Sequence, residues 1–322
     1  MHNLIQQLKK FTPASLFKAG NESQQPLLNN NEILELLLRV QNNKKSRSHK
    51  YDISFRKIGD VRSIYRGHGM DYEESRLYQA GDDPRYMNWQ LSARTGQNYM
   101  KVFREERQPG VFILIDRRNS MRFGTQQRLK ITQAVRAAAI AAFSAQKNNF
   151  SIGGVILDDE IEWFKENQNK QAVFDFIHKA ACPARPVITQ IENTQPKIAD
   201  VLRILNEILT TGSVIYLISD FSDLEESSQP SLLHLSTSHQ VQAIQIADPA
   251  EQVLPIAGAV SLKETTNNKY IDIDTNSKLE QVSYKTRALD YFSNKKKLFE
   301  DIAIPYQQIL TVDEDIEKIT AF

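Results

Sequence analysis

In the stretch GVFILIDRRNSMRFG, residues 110–124, an apolar run delivers an acid, two arginines and a small polar pair: Asp116, Arg117, Arg118, Asn119 and Ser120. Carboxylate and hydroxyl oxygens are what hard divalent cations take, so Asp116 and Ser120 could open a metal site. Arg118 stands between them with a charge that opposes such an ion. A second apolar run, SVIYLISD at 213–220, also ends on an acid, and Ser222 and Asp223 follow at once. Asp116, Asp220 and Asp223 could form a metal-dependent hydrolytic site, in which a bound ion activates water. Nothing supplies a matching base or nucleophile. The chain has no Gly-x-Ser-x-Gly elbow, Walker loop or His-Glu-x-x-His pair, and its histidines are scattered. The expectation is a chain that is not an enzyme.

The elements that must position these residues alternate between strand and helix. VFILID (111–116) is continuously apolar, as in a parallel strand covered on both faces. Ile131, Val135, Ala138 and Ala142 then recur at helical spacing. SIGGVILDD and EIEWF predict a strand and its hairpin partner. Two helices follow, the second with Ile198, Val201, Leu202, Leu205 and Leu209 on one face. SVIYLISD and HQVQAIQIAD (239–248) predict two more buried strands, and a helix near 277–300 precedes a last one, YQQIL at 306–310. This order predicts an α/β fold with a doubly wound, mostly parallel sheet, because parallel neighbours require right-handed crossovers. Ligands of such sheets lie beyond the carboxyl ends of the strands, where Asp116 and Asp220 fall.

Residues 110–322 would make that domain. Residues 1–43 predict a helical extension and linker: Leu4, Ile5, Leu8 and Phe11 could form a short amphipathic helix, and AGNESQQPLLNNN is polar. A helix over about 31–41 would then turn Ile33, Leu34, Leu37 and Leu38 inward. Residues 44–109 predict a subdomain of short strands and turns, with corners at Gly67, Gly69, Gly81 and Asp82–Pro84. There GDDPR and SARTG place Asp82, Asp83, Arg85 and Arg94 around Trp89. They could form a partner-recognition surface. The reading preferred is structural, a turn in which the aspartates cap N–H groups and pair with arginines under a Trp lid.

Composition limits the partners. Lys and Arg number 40 against 39 Asp and Glu, so no global field draws the protein to nucleic acid or an anionic membrane. The cluster Lys44, Lys45, Arg47, Lys50, Arg56 and Lys57 reads as a solvated face, with only Tyr51 and Phe55 interleaved. The single cysteine, Cys182, cannot form an internal disulfide, which fits a reducing cytosol. The longest near-apolar run, AVRAAAIAAF at 134–143, contains Arg136 and is too short to span a membrane. The amino-terminal residues lack the apolar block of a signal peptide. A cytoplasmic chain without a transmembrane segment is expected. No internal repeat, heptad pattern or low-complexity tract is evident.

Four stretches together, GHGMDYEESRLYQAGDDPRYMNWQLSARTGQNYMKVFREE, ILIDRRNSM, LISDFSD and ADPAEQVLPIAGAVSL, resemble the bacterial domain-of-unknown-function 58 family. Members carry a von Willebrand factor type A-like domain, and the likeness runs over roughly residues 50 to 315. The resemblance implies a central parallel sheet with helices on both faces, and a cytoplasmic or membrane-associated bacterial protein. It also implies association with MoxR-type AAA+ ATPases, thought to act in assembly or maturation of client proteins. Many members have membrane helices ahead of the family block; here none is seen, so a soluble form is implied.

A metal-binding type A domain uses Asp-x-Ser-x-Ser, a later Thr and a later Asp, with an acid of the partner completing the shell of a magnesium ion. The resemblance assigns the first Asp to Asp116, the last Ser to Ser120 and the later Asp to Asp220. Thr189 or Thr194 could serve as the Thr, without its usual glycines. The middle Ser is Arg118. A guanidinium about 5 Å from a divalent ion would cost roughly 6–7 kcal/mol at an effective dielectric of 20. Turned inward, Arg118 could instead lie between Asp116 and Asp220 and supply the ion's charge itself. The expectation is a degenerate metal site without a cofactor; retained magnesium, or a hydrolase using these aspartates, is the alternative. A protein partner would dock on Arg118, Asn119, Asp220, Ser222 and Asp223. Arg117 and Arg122 on one side, with Asp223, Glu225 and Glu226 on the other, would give that edge both signs of charge.

Overall fold

The structure, a computed structural model, describes residues 25–42, 71–79, 81–104, 110–184, 195–263, 270–316 and 319. The described residues of 1–50 and 109–322 make one compact unit and those of 51–108 a second. The amphipathic stretch at Leu4–Phe11, the basic cluster from Lys44 to Lys57, Gly67, Gly69, Thr189 and Thr194 lie outside the described residues.

In the large unit, α1 (Asn30–Asn42) is opened by a reciprocal cap in which Asn29 Oδ1 accepts from Glu32 N at 2.9 Å and Glu32 Oε2 accepts from Asn29 N at 2.8 Å. Its buried positions are Ile33, Leu36 and Val40, whereas Leu34 and Leu38 are 50% and 55% exposed. The expected inward face is therefore corrected by a rotation of the helix. Leu36 and Val40 continue the stripe from Ile33 at helical spacing, and that stripe packs on the alanine-rich helix α3 described below.

The small unit pairs β1 (Asp71–Leu77) antiparallel with β2 (Tyr99–Arg104), with the short helix α2 (Trp89–Thr95) between them. Asn88 caps α2 through Leu91 N at 3.2 Å and ties it to Ser75 Oγ at 2.8 Å, and Gly96 ends it in a left-handed turn with φ 73°. Asp82 accepts from Gln79 N at 2.8 Å and pairs with Arg76 at 2.5 Å, while Asp83 caps Arg85 N at 3.0 Å and grips its side chain. The expected capping and pairing are present. The Trp lid is not: Trp89 is 68% exposed, and the turn is closed by these carboxylate bonds instead.

The remaining elements alternate as expected. They are β3 (Val111–Asp116), α3 (Lys130–Lys147), β4 (Ile152–Leu157), β5 (Ile161–Asn167), α4 (Lys170–Ala180), α5 (Ile198–Ile208), β6 (Val214–Ser219), α6 (Gln229–Ser238), β7 (Gln240–Ala247), α7 (Pro249–Gln252), β8 (Ala259–Lys263), β9 (Tyr270–Asp274), α8 (Lys278–Glu300) and β10 (Tyr306–Leu310). The central sheet has the order β10-β7-β6-β3-β4-β5, parallel throughout except for β5, and β8 and β9 form a separate hairpin. Strand pleating sends Val111, Ile113 and Ile115 into a core shared with α1, α3 and α4. Phe112 and Leu114 enter a second core with α5, α6 and the end of α8. Helices on both faces of a mostly parallel sheet make the fold doubly wound, as expected.

One close approach prepares the site. A Cβ on Gly154 would lie 2.5 Å from the ring of Phe176, so only glycine lets α4 settle this near β4. The carboxyl end of α4 is thereby held beside the carboxyl end of β3.

Candidate functional site

β3 lies in the middle of the sheet and hands Asp116, fully buried, to its carboxyl edge. The guanidinium of Arg118 turns inward and faces two carboxylates. Its Nε and Nη2 donate to Asp116 at 3.0 and 2.7 Å, and its Nη1 and Nη2 donate to Asp223 at 2.5 and 2.9 Å. Nη1 also donates to Pro196 O at 3.2 Å. All five N–H groups of the side chain thus have acceptors. Asp116 also accepts from Arg118 N at 3.0 Å and from Ser219 Oγ at 2.6 Å, and Asp223 accepts from Ile198 N, at the start of α5, at 3.1 Å. Burial disfavours the charged form of Arg118, but Asp116 and Asp223 more than offset it and raise its pKa. Burial likewise pushes the Asp223 carboxyl up, and the Arg118 bonds, with Ile198 N–H, carry it below its ordinary value.

Arg118 therefore lies between two acids, as expected, but the second is Asp223. Asp220 belongs to another cluster. Lys130 Nζ, fully buried at the first turn of α3, donates to Asp220 at 2.8 Å and to Glu251 at 2.7 Å. Burial opposes the ammonium, and the two acids together raise its pKa; burial of Glu251 pushes that carboxyl up. What separates Asp220 from Asp223 is Phe221, which is left-handed with φ 53° and bonded through its N–H to Ser219 Oγ at 2.9 Å. The chain turns over at this residue, so the two acids reach different cations. Glu251 also completes a capping box at the start of α7 with Asp248, which accepts from Thr125 N at 3.0 Å and Thr311 Oγ1 at 2.7 Å and so ties three loops together.

Arg117 and Arg122 do not flank a charged surface. Both are buried, at 3% and 7% exposure. Arg117 caps the end of α4, donating to the carbonyls of Lys179, Ala180, Cys182 and Pro183, and its Nε faces Asp158 at 3.2 Å. Arg122 bonds to Asp158, and to Asp159 at 3.1 Å, Asn119 Oδ1 at 2.9 Å and Arg117 O at 3.1 Å. Asn119 is thus a strut, while buried Ser120 accepts, among the described residues, a long contact of 3.4 Å from Ser222 Oγ. Glu160, Glu225, Glu226 and Asp315 are exposed around this edge, as is the Lys197 side of α5. With Arg117 and Arg122 turned in, the expectation that these two arginines flank the outward edge is corrected; the exposed charges named there are four acids and Lys197.

The donor set does not fit a divalent ion as arranged. Both oxygens of Asp116 are engaged, the guanidinium occupies the space the ion would need, and Asp220 is held by Lys130. Among the described residues no three His, Cys, Asp or Glu side chains are grouped to hold a metal.

Lys130, Ser219, Asp158, Asp159, Asp248 and Glu251 were not singled out by sequence. Two signals were available: a lysine opening a helix opposes the helix dipole unless paired, and Asp158–Asp159 end a strand on this same edge.

The family described as "Protein of unknown function DUF58" matches residues 74–292. "Uncharacterized protein Rv1480" of Mycobacterium tuberculosis and "Uncharacterized protein Mb1516" of Mycobacterium bovis are each 28% identical to this chain over 210 residues, 64% of this chain and 64% of each relative's length. Two solved structures are similar at a TM-score of 0.42: the conserved hypothetical protein BatB from Bacteroides thetaiotaomicron, 13% identical over 66% of this chain and 94% of that one, and an aerotolerance-related membrane protein from Bacteroides fragilis, 15% identical over 66% and 96%.

Proposed function

The chain belongs to the DUF58 family, and for it we propose a non-enzymatic protein-interaction module: a von Willebrand factor type A-like domain whose metal site is degenerate and whose carboxyl edge docks a protein partner. The observation that carries this reading is Arg118. Its guanidinium satisfies Asp116 and Asp223 from within, so the edge is pre-formed without an ion. Polar groups that would be expected to react are instead bonded to each other, which suits a rigid docking surface better than a hydrolytic centre. No helix among the described residues is long and apolar enough to cross a membrane. The module acts in the cytoplasm with a MoxR-type AAA+ ATPase and a client protein, and the acids around the edge select a basic patch on the partner.

Capture of a MoxR-type ATPase from the native host, with immobilised protein, tests this. The double change Glu225→Lys and Glu226→Lys should abolish capture while shifting stability by under about 0.5 kcal/mol, as exposed substitutions do. Undiminished capture by that variant would remove the edge from the reading, and turnover of a phosphodiester or phosphoester substrate that depends on magnesium would replace it with the hydrolase.

A further inference from the structure

α8 is apolar on two opposite faces, and among the described residues only one of them is covered. Ala288, Leu298 and Phe299 are buried against the body, and Tyr284 Oη donates to Ala250 O of α7 at 2.8 Å. On the other face Leu279, Val282 and Leu289 are 81%, 66% and 58% exposed. With Thr286 they are spaced three, four and three residues apart, the a-d-a-d seam of two consecutive heptads, a pattern too short and too polar at Thr286 to stand out in the sequence, so the reading of no heptads is corrected here. Thr286 fits such a seam, because its hydroxyl already donates to Val282 O at 3.0 Å and leaves its methyl free to pack.

The flanking charges identify the occupant. Lys285 takes the g position and Asp290 the following e position, and neither has an ion-pair partner among the described residues. In a parallel two-stranded pairing, g of one helix meets the next e of the other. A second copy of this chain, related by a two-fold axis along α8, would bring Lys285 of each copy onto Asp290 of the other while the seams interlock. A C2 contact must be self-complementary in this way. We infer that the exposed face of α8, from Leu279 to Leu289, is the contact of a parallel homodimer. The seam has four core positions, where a standard interface takes roughly 20–30 residues a side, so association is weak and rises with concentration. It is not opposed by helix nucleation, since α8 is already folded against the body. The Tyr284–Ala250 bond places the face of α8 opposite the seam beside the start of α7, just past the carboxyl end of β7. The dimer would carry two copies of the carboxyl edge and so engage an oligomeric partner bivalently. The dimer itself does not depend on the proposed function.

Sedimentation velocity over a concentration series, with the whole chain, tests the inference. The wild type should pass from monomer to dimer. Leu279→Glu with Leu289→Glu should raise the dissociation constant at least about tenfold with an unchanged melting temperature. Lys285→Asp alone should weaken the dimer by roughly two- to threefold, and Lys285→Asp with Asp290→Lys should restore it. In a Cys182→Ser background, Val282→Cys should form an intermolecular disulfide under mild oxidation, and Arg287→Cys, off the seam, should not. A wild type that stays monomeric to its solubility limit, or a dimer that survives the double Glu change, overturns the inference. So does a monomer whose stripe proves necessary only for capture of another protein.

Discussion

Among the described residues the same Asp-x-Arg motif occurs twice, once in each unit. In the small unit Asp83 accepts from Arg85 N at 3.0 Å, from its Nε at 3.0 and 3.2 Å and from its Nη2 at 2.7 Å. At the carboxyl edge of the large sheet Asp116 accepts from Arg118 N at 3.0 Å, from Nε at 3.0 Å and from Nη2 at 2.7 Å. Locally the two are nearly superimposable in their bonding. They differ in water: the Arg85 side chain is 85% exposed and that of Arg118 is 7% exposed, with Asp116 fully dry. An exposed fork exchanges water bonds for protein bonds at little net gain, whereas a buried one cannot lose a partner without leaving a charge stranded. The pair at the sheet edge has acquired a second acid, Asp223, and a helix start for that purpose; the pair in the small unit has not.

The difference is sharpest on truncation of the arginines. Arg118→Met should destabilise the protein by about 3–5 kcal/mol, the cost of breaking a buried ion pair, read as a large fall in denaturation midpoint. A loss below about 1 kcal/mol would mean that water already reaches Asp116 and that the burial contrast is illusory. Arg118→Ser adds a second readout. Without the guanidinium, millimolar magnesium should raise the melting temperature of this variant and leave that of the wild type unchanged, because only a ligand that binds can stabilise.

Acid should separate the two clusters at the edge. The folded-state pKa of Asp223 is lowered, so its stabilisation is fully present above the unfolded value and is lost as pH falls through the folded one. Glu251 is raised, so its contribution runs the other way: the folded state takes up that proton first, and stability gains from it as pH falls through the folded value. Asp223→Asn should flatten the acid limb of the stability profile, and Glu251→Gln should remove a shallow rise at higher pH. Identical limbs in wild type and Asp223→Asn would show that Arg118 is satisfied by Asp116 alone.

The sheet was readable because its strands are unbroken apolar runs and its helices strongly periodic, down to Tyr306–Leu310 as the last strand. α6 was not, since QPSLLHLSTS buries only Leu232 and Leu235 among its apolar residues, and the hairpin of β8 and β9 went unread although the turn-forming run TTNN, residues 265–268, lies between its strands. At the edge, the charge argument was enough to turn Arg118 inward. It could not choose between Asp220 and Asp223, because that choice is made by the left-handed backbone of Phe221, a conformation a Phe does not advertise. Arg117 and Arg122 were misplaced because arginine is seldom buried; the acceptors that permit it, the last carbonyls of α4 and the pair Asp158–Asp159, are contiguous only in space.

In the small unit the expected effects are slight, and they bear on Trp89 first. At 68% exposure the indole contributes little to folding, so Trp89→Ala should cost under about 1 kcal/mol, against about 3–5 kcal/mol for a buried aromatic. Trp163, 37% exposed and 6.2 Å from Phe112, is the other tryptophan. In a Trp163→Phe background, the emission of Trp89 should be red-shifted and readily quenched by iodide. A blue-shifted, protected emission would mean that the indole is covered after all.

The smallest effect should be at the exposed fork. Asp83 does two things there, gripping Arg85 and accepting from Arg85 N to open the short turn at Pro84–Tyr86. Only the second survives loss of the arginine side chain. Arg85→Ala should therefore leave the melting temperature within error of the wild type, at low and at high salt, because the pair it removes is fully hydrated and screened. Asp83→Ala should lower it detectably, and Asp83→Asn, whose side-chain oxygen can still cap, should restore most of the loss. A double-mutant cycle of Asp83 with Arg85 should then give a coupling indistinguishable from zero, while the same cycle of Asp116 with Arg118 gives a large one. Equal couplings in the two cycles would contradict the claim that burial, rather than the geometry of the fork, decides what an Asp–Arg pair does in this protein.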